Sequence, residues 1–406
     1  MTTDQAFLSR LAIEAETRIV LLVLDGVGDL RTAEQPRTAL DRAVTPNLDQ
    51  LAARSALGRI VPVQPGVTPG SGPGHLALFG YDPAEPATDI GRGVLEALGL
   101  GLEIGSTDLV ARGNFATADA DGDLTDRRAG RPSNDENRRA CELLQRAVDD
   151  LTEPTVRVSS GEGHRFVLTF GGDGLSAEIE DTDPQATGVP PLPIEAADDA
   201  ATDTVSRLTP IVERLTAALA DEPAMNRILL RGFSSLPHLP QLGDLHRIRC
   251  GAFAGYPLYR GVASVCGMEV VPTSKKFGEM IPTVSEHWDR FDYFFLHVKQ
   301  TDMAGEDGDL DAKVAVLEEV DGALPELLAL GPEVIAITGD HSTPAPLAAH
   351  SWHPVPLLVH SPVCFIDDQT EFNEVAATAG HLGTLLSREL MGLLLANAGR
   401  LAKFGA

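Results

Sequence analysis

From Arg18 the chain runs Ile19-Val20-Leu21-Leu22-Val23-Leu24 as a continuous apolar stretch and stops abruptly at Asp25-Gly26-Val27-Gly28-Asp29. A strand with one wet face alternates apolar and polar residues. A run without alternation buries both faces, as in a parallel sheet covered by helices. The same signature recurs at Phe291 to Val298, followed by Asp302, and at Glu333 to Thr338, which ends in Gly339-Asp340-His341. Val355 to His360 is another such strand, and Gly58 to Val63 precedes a Gly/Pro-rich loop. Between them lie helix patterns. Thr45-Pro46 supplies an N-cap with proline at the first helical position, and Leu310 to Leu330 carries apolar spacing at Val314, Leu317, Val320 and Leu324. The expected fold class is α/β, a mostly parallel sheet with helices on both faces.

A chain of 406 residues exceeds the size at which single cores stop growing, so two domains are expected. Gly91 to Leu100 reads as helix, and after about Gly105 the texture changes. Leu109 to Thr117 and Leu124 to Gly130 read as short strands, Asn134 to Asp149 as a helix, and Val156 to Ser160 and Arg165 to Phe170 as further strands. This pattern predicts a small α+β insertion over 106–199, with a discontinuous core formed by 1–105 and 200–406. The Pro/Asp-rich segment Asp181 to Asp199 is the expected linker. Ala200 to Leu219 is helical by spacing, and Arg227 to Leu230, ending in Arg231-Gly232, is the strand from which the alternating β/α pattern resumes.

A formal charge of −27 disfavours nucleic acid and anionic membranes as partners, although it leaves an anionic small molecule possible at a locally basic site. No apolar run approaches the ~18 residues of a membrane span, and Met1-Thr2-Thr3-Asp4-Gln5 lacks a signal-peptide pattern. Cys141, Cys250, Cys266 and Cys364 are scattered with no CxxC pair, which argues against a disulfide framework and a zinc-thiolate site. A reduced cytoplasmic location is expected.

The chemistry centres on Pro69-Gly70-Ser71-Gly72-Pro73-Gly74-His75, just before an apolar run that opens a helix. A hydroxyl there faces unpaired amides and the positive helix end, a setting suited to an oxyanion or phosphate. Ser71 reads as a nucleophile, with an ordinary N-cap as the alternative. Asp25, Asp302 and Asp340-His341 each follow an apolar strand. In a parallel sheet these ends share one edge, where ligands bind. Gathered carboxylates and imidazoles need something positive between them, and divalent ions meet that need. Glu306 and His350 are near the same strand ends. Each residue also has a plainer reading: Asp25 as a turn residue, Asp340 as a helix cap, Glu306 as part of a solvated acidic loop, and His297 as a core histidine.

Leu24-Asp25-Gly26, Pro69-Gly70-Ser71, Gly80-Tyr81-Asp82-Pro83, Arg112-Gly113-Asn114-Phe115-Ala116-Thr117, Asp126-Arg127-Arg128-Ala129-Gly130-Arg131 and Asp181-Thr182-Asp183-Pro184 occur in this order. Leu229 to Gly232, His297-Val298-Lys299, Thr301-Asp302, Thr338 to Pro344 and Pro354-Val355-Pro356 follow. Together these fragments resemble the archaeal-type, cofactor-independent phosphoglycerate mutases of the alkaline phosphatase superfamily. The resemblance implies two divalent metals, one held by Asp25, Ser71, Asp340 and His341, the other by Asp302, Glu306 and His350. It implies that the insertion is a cap, and that Arg112, Asn114, Arg128, Arg131, His164, Arg165 and Arg231 grip substrate carboxylate and phosphate. It further implies phosphoryl transfer from 3-phosphoglycerate to Ser71 and back to the 2-hydroxyl, with no external bisphosphoglycerate.

Three positions depart from the family pattern. Gly72 stands where the family usually has Asp, Glu306 where it has His, and Trp352-His353 where it has Asp. A carboxylate in place of an imidazole hardens the second site and favours magnesium or manganese over zinc. His353 is an accessory candidate as ligand or proton carrier, with Lys299 a second accessory candidate. The alternatives are a phosphatase, a mutase on another phospho- or phosphono-acid, or a metal-binding homologue with weakened turnover.

Overall fold

The strands in chain order are β1 (Ile19–Leu24), β2 (Ala56–Val61), β3 (Leu109–Ala118), β4 (Leu124–Asp126), β5 (Thr155–Ser160), β6 (Arg165–Gly171) and β7 (Arg227–Ser235). They continue with β8 (Cys250–Ala254), β9 (Glu269–Val270), β10 (Tyr293–Val298), β11 (Val334–Thr338), β12 (Val355–His360) and β13 (Gly383–Leu386). The computed structural model describes residues 3–405. Two compact units emerge, Met1–Asp89 with His238–Ala406, and Ile90–Pro237.

The first unit holds an eight-stranded sheet in the order β13-β2-β12-β11-β1-β10-β8-β9. β1 pairs in parallel with β10 on one side and β11 on the other, and β8 extends the parallel block beyond β10. β12 runs antiparallel to both β11 and β2, so the sheet is mixed but mostly parallel. The unalternating run reads out as expected, because all six side chains of β1 are buried. Each such burial contributes about 1.5–3 kcal/mol, which fixes β1 at the centre. The helix Leu310–Leu328 is capped by Asp309, whose side chain accepts from Ala312 N. Its buried face is Lys313, Leu317, Val320, Asp321 and Leu324, so a lysine takes the inward position expected for Val314. Among the described residues no helix is long and apolar enough to cross a membrane.

The second unit is built on an antiparallel sheet in which β3 pairs with β4, β6 and β7, and β6 pairs with β5. The helix Asn134–Val148 opens with a capping box between Ser133 and Glu136. Two expectations are corrected here. β7 does not restart the parallel pattern; it lies antiparallel to β3, so the unit extends to Pro237 and the expected ends at 106 and 199 fall inside it. The segment expected as a linker is tied down. Thr182 N donates to Leu230 O at 2.9 Å, and Gly232 N donates to the Asp181 carboxylate at 2.7 Å. Long-range strand pairing is invisible to local pattern, which is why an isolated Ile-Leu-Leu run gave no hint of its partner.

His246, the last residue of the short helix Leu242–His246, is 2% exposed, and its Nδ1 has no hydrogen-bond partner among the described residues. Burial pushes its pKa down to about 4. Between its ordinary value and about 4, the unfolded chain takes a proton that the native state refuses, so stability falls on acidification. The cost reaches about 2 kcal/mol at a pH near 5. We expect urea unfolding of His246→Phe to lose less stability between about pH 7 and 5 than the parent; equal losses would refute this.

Candidate active site: strand-end carboxylates and an arginine-lined cavity

β11, β1 and β10 are neighbours, so the chain leaving each delivers a carboxylate to the same edge of the first unit. Asp25, Asp302 and Asp340 are each fully buried. Asp25 extends the sheet by donating its amide to Val298 O at 2.9 Å. Two groups result, Asp25 with Asp340 and His341, and Asp302 with His341 and His350, each with ligand-type atoms within 4.8 Å of one another. Asp302 and Glu306 stand four apart on the helix Gln300–Glu306 and so share a face. His350 Nε2 lies 3.5 Å from both Asp302 Oδ1 and Glu306 Oε1.

Ser71 is the first residue of the helix Ser71–Leu78, and Gly70 is its N-cap, so the plain capping role falls to the glycine. Ser71 Oγ is 3.3 Å from His341 Nε2. The helix sits hard against the β11 exit. A Cβ on Gly74 would come within 2.5 Å of Asp340 O, so only glycine allows the nucleophile's helix this close. One turn on from Ser71, His75 donates from Nδ1 to Ser71 O at 2.8 Å, with Asp340 Oδ2 3.1 Å from the same nitrogen.

The imidazoles disclose what the centre is built for. His350 Nδ1 donates to Pro69 O at 3.0 Å, and His341 Nδ1 lies 3.0 Å from Thr343 Oγ1, whose hydroxyl is committed to Asp302 Oδ1. Each ring therefore turns an Nε2 lone pair inward. For His341 that lone pair faces Asp25 Oδ1 at 3.4 Å and Asp340 Oδ2 at 3.3 Å. Those two oxygens are buried and have no hydrogen-bond partner among the described residues. Lone pairs aimed at ionised oxygens repel unless a cation lies between them. The donor set, carboxylate oxygens with imidazole nitrogens, suits a divalent ion such as manganese, magnesium or zinc.

The surrounding groups favour ionised carboxylates. Burial opposes the charge on Asp25, but the hydrogen bond from His297 Nε2 at 2.9 Å, together with the Lys299 ammonium, outweighs it and holds the carboxyl far below its usual range. Asp340 is likewise held low by His75, against burial and the charge of Asp25. Lys299 bonds Asp302 and lies 3.4 Å from Asp25 Oδ2; those carboxylates overcome its burial and raise its pKa. Of the expected ligands, Asp25, Asp302, Asp340, His341 and His350 fall into the two groups, whereas Glu306 belongs to neither and reaches only His350. His353 Nδ1 lies 3.0 Å from Ser351 Oγ, its ring stacks on Trp352, and it joins neither group.

The second unit carries a cavity of about 320 Å³, lined by Arg112, Asn114, Arg127, Arg128, Arg131, His164, Arg165 and Arg231. Strand geometry explains it. Arg112 and Asn114 are two apart on β3 and share a face; Arg231 on β7 stands opposite Arg112, and Arg165 on β6 opposite Asn114. The intervening Gly113 faces the core, where Phe166 leaves no room for a side chain. Arg128 and Arg131 come from a turn with Ala129, Gly130 and Arg131 all at positive φ, held by Asp126 accepting from Arg128 N at 2.8 Å and Gly130 N at 2.7 Å. Like charges directly opposed cost stability. The Nε atoms of Arg112 and Arg165 and Asn114 Oδ1 are buried without partners among the described residues. Burial and the arginines push the His164 pKa down to about 4, so its ring is neutral near pH 7. Such a cavity is made for a small polyanion.

A family model described as 2,3-bisphosphoglycerate-independent phosphoglycerate mutase matches residues 52–225. A Thermotoga neapolitana protein named a probable enzyme of that kind is 48% identical over 406 residues, all of each chain. A similarly named Thermus thermophilus protein is 48% identical over 402 residues, 98% of each. The chain belongs to this mutase family. Among solved structures, the cofactor-independent phosphoglycerate mutase from Thermoplasma acidophilum is 30% identical with a TM-score of 0.72, covering 94% of this chain and 100% of that one. A Pyrococcus horikoshii protein is 28% identical with a TM-score of 0.82, covering 97% and 100%.

Several residues that touch these groups escaped the sequence. His297, read as a core histidine, is buried but bonds Asp25; His75 and Thr343 brace Asp340, His341 and Asp302. Arg127 lines the cavity and forks onto Asp183 at 2.8 and 2.7 Å. The signal for His75 was its spacing of four from Ser71, one helical turn. For Lys313 it was a charge at an inward helical position.

Proposed function

We propose that this protein interconverts 3-phosphoglycerate and 2-phosphoglycerate through phosphorylation of Ser71, without added bisphosphoglycerate. Asp25, Ser71, Asp340 and His341 would hold one divalent ion, and Asp302, Glu306 and His350 the other. Bound there, the ions supply Lewis acidity, favouring the Ser71 alkoxide and neutralising phosphoryl oxygens. Ser71 Oγ attacks phosphorus; the P–Oγ bond forms as the bond to the substrate's 3-oxygen breaks, and that oxygen takes up a proton. In the reverse sense the 2-hydroxyl loses a proton, attacks the same phosphorus and releases Ser71. His75 steadies the Ser71 backbone, His297 orients Asp25, and Lys299 adds positive charge beside Asp25 and Asp302. In the second unit Arg112, Asn114, Arg128, Arg131, His164, Arg165 and Arg231 bind the carboxylate and phosphate of the glycerate.

One observation carries this reading: two imidazole lone pairs and three buried carboxylates converge beside the Ser71 hydroxyl. The experiment is an enolase-coupled assay on 3-phosphoglycerate alongside a free-phosphate assay. Formation of 2-phosphoglycerate with little free phosphate is expected; mainly free phosphate would make the protein a phosphatase. Chelator treatment should abolish turnover, and manganese or magnesium should restore it best, given the half-exposed carboxylate of Glu306 beside His350. Restoration by zinc alone would contradict the role given to Glu306.

A further inference from the structure

Lys313 is a fully buried ammonium with no carboxylate within ion-pair distance among the described residues. Its Nζ instead donates to three backbone carbonyls: Gly26 O at 2.9 Å, Gly28 O at 3.2 Å and Thr343 O at 2.9 Å. An ammonium has three protons, and all three are used. Burying such a charge is expensive, so a lysine kept there must be held for what it bonds. Its acceptors are not scattered. Gly26 and Gly28 follow Asp25 on the loop leaving β1, and Thr343 follows Asp340 and His341 on the loop leaving β11.

The connection runs further through Thr343. Its amide donates to Gly26 O at 3.2 Å and Gly28 O at 3.1 Å, closing a ring of backbone and ammonium between the two loops. Its hydroxyl bonds Asp302 and meets His341 Nδ1 at 3.0 Å, so it touches one member of each ligand group. A shift of Thr343 would therefore move Asp302 and turn the His341 ring together. We infer that Lys313 is a positioning residue for both cation groups, fixing the separation of the two loops from beneath and, through Thr343, the aim of Asp302 and His341. This inference rests on the proposed two-metal reading.

The competing explanation is that Lys313 fills core space, a task that a methionine of similar length performs at least as well. Four proteins separate these views: the metal-stripped parent, Lys313→Met, Lys313→Gln, and Leu317→Ala, which hollows the same helix one turn on from Lys313. The readouts are manganese affinity, from titration of free Mn²⁺ by electron paramagnetic resonance, and thermal unfolding without metal. Lys313→Met should weaken manganese binding at least about tenfold at both groups. Leu317→Ala should lower the unfolding temperature yet keep its manganese affinity. Lys313→Gln, which retains a donor, should lie between parent and methionine variant, and it carries the test if the methionine variant does not fold. Parental manganese affinity in Lys313→Met and Lys313→Gln alike would overturn the inference. A parent that binds no manganese would instead overturn the two-metal reading itself.

Discussion

Ser71→Ala loses turnover by about 10⁴-fold or more while the fold survives, because the alanine removes the only atom able to carry the phosphoryl group through the proposed double transfer. Ser71 is the first residue of its helix and only half-buried. Alanine is a good helix former, so the unfolding temperature should hold. The measurement is paired. Parent enzyme quenched during turnover should carry phosphate on the peptide containing Ser71, and the variant should carry none. Mutase activity within tenfold of the parent would rule out the covalent route.

Arg112→Met gives effects of opposite sign on activity and stability. Arg112 lines the cavity, stands across from Arg231, and its pKa is pushed down by burial and by Arg165, Arg231 and Arg92. With substrate bound, loss of a buried charge-assisted fork costs about 3 kcal/mol, or ~100-fold in kcat/KM. Without substrate the same change relieves repulsion, so the substrate-free variant should unfold at an equal or higher temperature. Adding 3-phosphoglycerate should then raise the unfolding temperature less than it does for the parent. A variant that is both active and destabilised would place Arg112 in the fold rather than in binding.

What sequence could and could not disclose divides along physical lines. Ile19 to Leu24 was readable because burial on both faces leaves a local trace, and Asp25, Asp302 and Asp340 followed from where such strands end. Arg112 and Asn114 were readable through resemblance, whereas their shared face with Arg231 needed the β3–β7 register, which no local pattern records. For the same reason Arg227 to Leu230 was assigned to the wrong sheet. His353 was singled out for its chemistry, yet its ring turned to Ser351 and Trp352. The partners of Lys313 and Thr343 were not readable, because they lie on loops that only the fold brings together: backbone carbonyls for the Lys313 ammonium, Asp302 and His341 for the Thr343 hydroxyl.

The order β11-β1-β10 carries a last implication. Hydrogen-bonded strands repeat at about 4.8 Å, so the strand ends that Asp340 and Asp25 follow, and the one that leads into the Asp302 helix, are spaced by the ladder rather than by side chains. A ruler made of peptide bonds is indifferent to what is mounted on it. Ligand identity at the periphery, where Glu306 sits on a helix end, is thus free to drift and retune ion preference while the distance between the charges stays put.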